Sequence, residues 1–143
     1  MARYVATVPS SMSAEAAFAY MSDLRNFAEW DRGIKKVEQV SGDGAGLGTV
    51  FDITVRGKGG KDSVLRYETL EFDAPKNVLV KGRNNMFTSV DRVTVTPTAT
   101  GCDVVYDAVL TANGIYWPMN FVLNRVFKKV GDAAVAGLRK KLA

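Results

Sequence analysis

From Ile34 to Ala112 the apolar residues recur at every second position, in six successive stretches. The stretches are 34–41, 48–57, 61–73, 77–84, 87–97 and 101–112. Turn sequences divide them: GDGAG, RGKGG, DAPKN, a short RNNM turn and PTATG. A parallel crossover needs about a dozen residues or more, and none of these connections is that long. The pattern therefore predicts an antiparallel meander. A further alternating, β-branched stretch, RYVATV (3–8), reads as a strand ended by Pro9.

The segments on either side of the meander have a helical period. Ser13 is placed to cap SAEAAFAYMSDL, with Glu15 in the favourable first turn. Ala14, Ala17, Phe18, Met21 and Leu24 give that helix one apolar face. Residues 26–31, NFAEWD, read as a second short helical turn broken by Gly33, with Phe27 and Trp30 on its inner side. After Asn113-Gly114 the chain reads as one long helix, with Pro118 in its first turn. Asn120, Leu123, Phe127, Val130, Ala134 and Leu138 form its apolar side; Arg125, Lys128, Lys129, Asp132, Arg139 and Lys140 form the other. About 25 helical residues span nearly 40 Å, the width of a domain. The fold class is α+β: a seven-stranded curved sheet wrapped around a C-terminal helix, with two short helices after strand 1. One helix rarely fills such a concavity, so a cavity between the sheet and residues 116–138 is expected.

Composition narrows the chemistry. The 143 residues suit one domain, 1–143, and include no histidine. That excludes Ser-His-Asp and Cys-His machinery and imidazole metal sites. Cys102 is alone, so neither an internal disulfide nor a thiolate cluster is available. We expect no metal and no cofactor. The start, MARYVATVPSS, shows no signal peptide, and no run suits a membrane span, which points to a cytoplasmic protein. The net charge of +4 is mild, and the Arg139-Lys140-Lys141 cluster reads as cations at a helix C-terminus. GDGAGLG (42–48) fails the register of a dinucleotide loop and lies between strands, so it reads as a hairpin loop. RGKGGK (56–61) reads as a solvated hairpin tip, and no nucleic-acid partner is expected.

Three passages carry a family resemblance: VPSSMSAEAAFAYMSDLRNFAEWD, SGDGAGLGTVFDI and YETLEFDAPKNVLVKG. They resemble the first strand exit and helices, the glycine-rich turn and the acid–proline–strand connection of the START / polyketide-cyclase / birch-pollen-allergen (SRPBCC) superfamily. The resemblance covers nearly the whole chain and implies the helix-grip fold. It also implies a pocket for a hydrophobic or amphipathic small molecule such as a lipid or polyketide.

Strand parity selects the pocket candidates. Phe51 and Ile53 share a face, as do Tyr106 and Ala108, and Val93 shares a face with Asp91. Tyr67 and Tyr106 offer hydroxyls, and Asn120 and Asn124 offer amides on or beside the apolar side of the long helix. Arg66 and Arg83 have Glu68 or Asp91 as possible partners. Trp30, Phe51, Ile53, Tyr67, Asp91, Val93, Tyr106, Ala108, Asn120, Leu123, Asn124 and Phe127 make the expected ligand-binding set, and Arg66 and Arg83 read as surface ion-pair residues outside it. Asp91 in an apolar pocket, with Tyr67, is the candidate catalytic group. Binding as a carrier or sequestering protein ranks above a cyclase- or dehydratase-like enzyme, and a regulatory or interaction module on the same fold is a third class.

Overall fold

The computed structural model describes residues 1–143, apart from the side chain of Lys58. The strands are β1 (Ala2–Ser10), β2 (Ile34–Ser41), β3 (Val50–Val55), β4 (Ser63–Asp73), β5 (Asn77–Arg83), β6 (Phe87–Thr98) and β7 (Gly101–Ala112). They form one seven-stranded sheet in the order β1-β7-β6-β5-β4-β3-β2, antiparallel at every pairing. This is the α+β helix-grip architecture. β1 runs to Ser10, two residues beyond the expected end. It is an edge strand, where Pro9, opposite Asp103, removes no ladder bond that a central strand would need.

β1 and β2 occupy opposite edges, so the chain between them must cross the whole sheet. That crossing carries α1 (Ala14–Ser22), a 3-10 turn (Leu24–Asn26) and α2 (Phe27–Trp30) over the concave face. The Ser13 hydroxyl caps α1 by accepting from the Ala16 N–H (3.1 Å). Asp23 caps the 3-10 turn through the Arg25 N–H. The inward residues of the sheet, among them Val8, Phe51, Ile53, Val95 and Val104, meet Ala17, Phe18, Met21, Phe27 and Trp30 in one core.

The glycine-rich loop closes the β2–β3 hairpin, with no helix after it. Gly42, Gly44, Gly46 and Gly48 all have positive φ, a backbone region that L side chains avoid. The Gln39 side chain stitches the loop by bonding both the N–H and the carbonyl of Gly44 (2.9 Å each). At the 56–61 tip Lys35 pairs with Asp62 (3.0 Å), and the Lys58 side chain lies outside the described residues. Arg66 pairs with Asp52, not with Glu68 or Asp91. The two lie directly opposite in the β3–β4 register, on the outer face.

The last segment begins with a 3-10 turn (Gly114–Met119) containing Pro118 and continues as α3 (Asn120–Leu142). Leu123, Ala134, Val135, Leu138 and Leu142 are buried. Val130, expected on the apolar side, is 45% exposed. The reason is where α3 lies. It rests on the β1 edge and on α2, with Tyr4 against Phe127 and Gly131, so its burial arc is rotated and narrowed relative to a central position. The Ser10 hydroxyl bonds the Leu142 carbonyl and ties down the far end.

Glycine sets the closest approach. A Cβ on Gly137 would run into the Trp30 carbonyl oxygen, a backbone atom that cannot swing aside. Gly137→Ala gains about 1 kcal/mol of helix propensity, but forcing α3 off α2 costs about 1–3 kcal/mol. We expect a net loss of stability in urea denaturation. A variant more stable than wild type would show that α3 and α2 are not in this contact.

Candidate functional site

The crossing segment and the sheet enclose a small cavity. Met21, Leu24, Phe27 and Trp30 form its roof, and Val78, Val80, Asp91, Val93 and Tyr106 form its floor, with Asp23 at the rim. Its free volume is about 20 Å³, roughly one water molecule's worth of space. It lies beneath the short helices, and no residue of α3 lines it. The expected cavity between sheet and C-terminal helix is therefore displaced, because α3 lies along the β1 edge and leaves the middle of the sheet to α1 and α2.

The floor is polar at one point. Asp91 is 5% exposed, and its carboxylate accepts from Ser89 Oγ (2.9 Å) and from the Tyr106 hydroxyl (3.0 Å). Parity explains the grouping: Ser89, Asp91 and Val93 alternate inward along β6, and Val93 faces Tyr106 across the ladder. Burial pushes the Asp91 carboxyl up to about 6, against the two hydroxyl bonds, which favour the anion; the nearby charge of Asp31 adds to the rise. Asp31 is itself pushed up by burial, although its Oδ1 accepts from the Gly33 N–H (2.8 Å). Burial, with the charge of Asp91 second, holds the phenols of Tyr67 and Tyr106 well above their ordinary range, so both are neutral donors.

Tyr67 reaches this group through a gap in β5. Its partner across the ladder is Gly82, and a Cβ there would collide with the Tyr67 ring. With no side chain in the way, the phenol lies over β5 beside Ser89. The roof is aromatic: Phe27 stacks on Trp30 (ring centroids 4.7 Å apart), and Trp30 meets Tyr106 edge to face (5.6 Å).

Of the residues singled out from the sequence, Trp30, Asp91, Val93 and Tyr106 line the cavity. Tyr67 adjoins it, and Ala108 is buried beside Asp91 in the β6–β7 register. Phe51 and Ile53 are fully buried in the core on β3. The four α3 residues lie elsewhere. Asn120 Oδ1 accepts from the Ala112 N–H (2.9 Å) and its Nδ2 donates to the Ala112 carbonyl (3.2 Å), so this amide bonds the sheet. Leu123 packs with Ala2 and Ala112 in a second cluster that Phe127 borders, and Asn124 is exposed.

Sequence reasoning missed Ser89, which parity with Asp91 would have found. It also missed Asp31 as a buried acid, and in the sequence that residue has no signal beyond its place after Trp30. Among the described residues no three His, Cys, Asp or Glu side chains converge as a metal shell. A larger, open groove of about 490 Å³ lies between α1 and the β4–β5 turn, lined by Phe18, Ser22, Ala45, Phe72 and Pro75; the Ser22 hydroxyl has no partner among the described residues.

Residues 1–143 match the family described as polyketide cyclase / dehydrase and lipid transport. The chain belongs to this family. Solved structures agree on the fold. A START superfamily protein from Mycobacterium smegmatis superimposes with a TM-score of 0.77 at 15% identity, over 98% of this chain and 96% of that one. A protein from Thermus thermophilus gives 0.76 at 14% identity, covering 99% and 95%. The di-domain ARO/CYC StfQ from the steffimycin biosynthetic pathway gives 0.73 at 11% identity over 98% of this chain. This chain spans half the length of that two-domain protein. No curated protein matches the sequence. Family membership implies a hydrophobic small-molecule ligand, and no described helix is long and apolar enough to cross a membrane.

The raised Asp91 pKa links the site to stability. The folded state holds this proton more tightly than the unfolded chain, so stability falls as pH rises from about 4 to about 6 and then levels off. The penalty at neutral pH is of order 3 kcal/mol, from a rise of about two units. Asp91→Asn has no such titration. Its stability relative to wild type should climb by about that amount between pH 4 and pH 7 in paired urea titrations. A difference independent of pH would place the Asp91 carboxyl near its ordinary value.

Proposed function

We propose that the protein binds a neutral or cationic hydrophobic small molecule between the short helices and strands β5–β7, as a carrier or sequestering protein. The reading rests on one observation: an apolar cleft with a single buried acid, Asp91, held by Tyr106 and Ser89 at its floor. Such a site recognises a ligand by apolar burial and orients it with one polar contact. The lining has carboxylates at Asp23 and Asp91 and no basic residue; Arg25 is tied to Asp23 and is half exposed. An anionic headgroup entering here would meet two acids and lose its hydration without a cation to replace it. A hydroxyl, phenol or ammonium would find Asp91 as its acceptor.

At its present volume the cavity holds no such ligand, so binding requires the roof to lift. α2 is a single four-residue turn, and Asn26 makes no side-chain capping bond to it. Its outer ties, Tyr20–Glu29 (3.0 Å) and Lys141–Glu29 (4.0 Å), are solvent-exposed and weak. Lifting the turn also exposes Phe27 and Trp30, both buried in the core, so the ligand's apolar surface has to replace the contacts they lose. Phe27 and Trp30 would leave the floor together as a stacked pair, and Trp30 would then line the ligand's flank. Tyr67, Val93 and Ala108 complete the proposed contact surface, while Phe51 and Ile53 keep the sheet behind it rigid.

A second reading, a cyclase- or dehydratase-like enzyme, is favoured by the same acid. A carboxyl group titrating near 6 beside neutral phenols suits proton transfer to and from a folded substrate. Asp91 would take the proton from a carbon next to a ketone, and Tyr106 or Tyr67 would steady the enolate oxygen. Loss of a detected cyclisation in Asp91→Asn, with ligand affinity kept, would support that reading over simple carriage.

The binding proposal is tested with decylamine, decanol and decanoate below their aggregation concentrations, on a Trp117→Phe background where Trp30 is the only indole. The amine and the alcohol should shift Trp30 emission in a saturable way, with decanoate at least about tenfold weaker, the equivalent of one unfavourable charge contact. Equal or tighter binding of decanoate would overturn the charge preference. No saturable response to any of the three would overturn the site.

A further inference from the structure

The 3-10 turn and the first half of α3 carry an apolar surface that nothing in the fold covers. Ile115 (87% exposed), Trp117, Phe121 (78%), Val122, Val126 and Val130 all face solvent. Val122, Val126 and Val130 lie four apart and so form one stripe along the helix. Trp117 and Phe121 meet edge to face (5.4 Å), extending the patch into the turn. It is not a frayed end. Asn120 is bonded twice to the Ala112 backbone, and Leu123 is buried against Ala2 and Ala112, so the helix start is anchored to the sheet. Exposed apolar groups on a fixed surface point to a partner.

The charges decide which partner. Residues 114–130 contain Arg125, Lys128 and Lys129 and no acidic residue. Lys128 is engaged one turn on by Asp132 (3.1 Å), while Arg125 and Lys129 have no carboxylate partner among the described residues. A second copy docked face to face would bring these cations against their own images, which opposes self-association. An apolar stripe with an indole and a flank of lysine and arginine instead matches the interface of a bilayer rich in acidic headgroups. We propose that residues 115–130 form a docking surface for an anionic lipid bilayer, with Trp117, Phe121, Val122 and Val126 at the acyl boundary and Arg125 and Lys129 on the headgroups. The docking is peripheral, since no described helix is apolar enough to span. It does not rest on the pocket reading, and needs no pocket ligand.

The test is co-sedimentation of the full chain with vesicles of phosphatidylcholine alone and of phosphatidylcholine mixed with phosphatidylglycerol, at low and high salt. Binding should require the anionic lipid and weaken as salt rises. Phe121→Asp with Val126→Asp should abolish it while the melting transition stays near wild type, because both side chains are exposed. Lys129→Gln should weaken partitioning about fivefold, the share expected of one basic residue at such a surface. Failure to bind the mixed vesicles would overturn the proposal, as would binding that survives the double aspartate variant. So would a wild-type dimer that those aspartates dissociate, since the face would then belong to a second copy.

Discussion

Nine residue pairs between β1 and β7 join the first strand to the last, from Ala2 opposite Leu110 to Ser10 opposite Cys102. The rest of the architecture depends on this pairing. It places β1 at one edge while the meander ends its other edge at β2, so residues 11–33 must traverse the sheet. That traverse is the roof of the site. The same edge strand supplies Tyr4, whose ring packs on Phe127 and whose hydroxyl donates to Asp132 (2.7 Å), and so provides the shelf on which α3 lies.

The site follows from competition for the concave face. Two short helices and one long one must cover it, and the long one is held to the side by β1. The middle is left to α1 and α2, and the close contact of α2 with α3 is permitted by the absence of a side chain at Gly137. Beneath it the inward positions of β6 and β7 are mostly apolar, so the carboxylate of Asp91 is costly to ionise and its two hydroxyl partners offset only part of that cost. A position selected for stability alone would favour an apolar residue there. A buried, hydrogen-bonded acid under a small movable roof is the feature that ties the fold to ligand chemistry.

The buried cavity and the exposed apolar surface have opposite electrostatic character. The cleft presents carboxylates and phenols, whereas the surface of residues 114–130 presents only cations beside its apolar stripe. Both lie at structures built on α2 and α3, which touch where Gly137 meets the Trp30 carbonyl.

Much of this is legible in the amino-acid sequence. The period of two between Ile34 and Ala112, broken by short turns, already required an antiparallel meander, and the observed strands match those stretches to within a few residues at each end. Parity put Asp91 inward with Val93, and put Tyr106 on the same face as Ala108. The lack of histidine left any chemistry to carboxylates, Lys, Arg, Tyr or ordered water. Alternation states which face a side chain occupies, but it does not state what lies opposite that face. Which helix covers the polar group, how much space remains there, and why Val122, Val126 and Val130 stay wet were set by the β1–β7 pairing and by the lateral seat of α3. Those depend on contacts more than a hundred residues apart in the chain, such as Tyr4 with Asp132, and no local pattern encodes them.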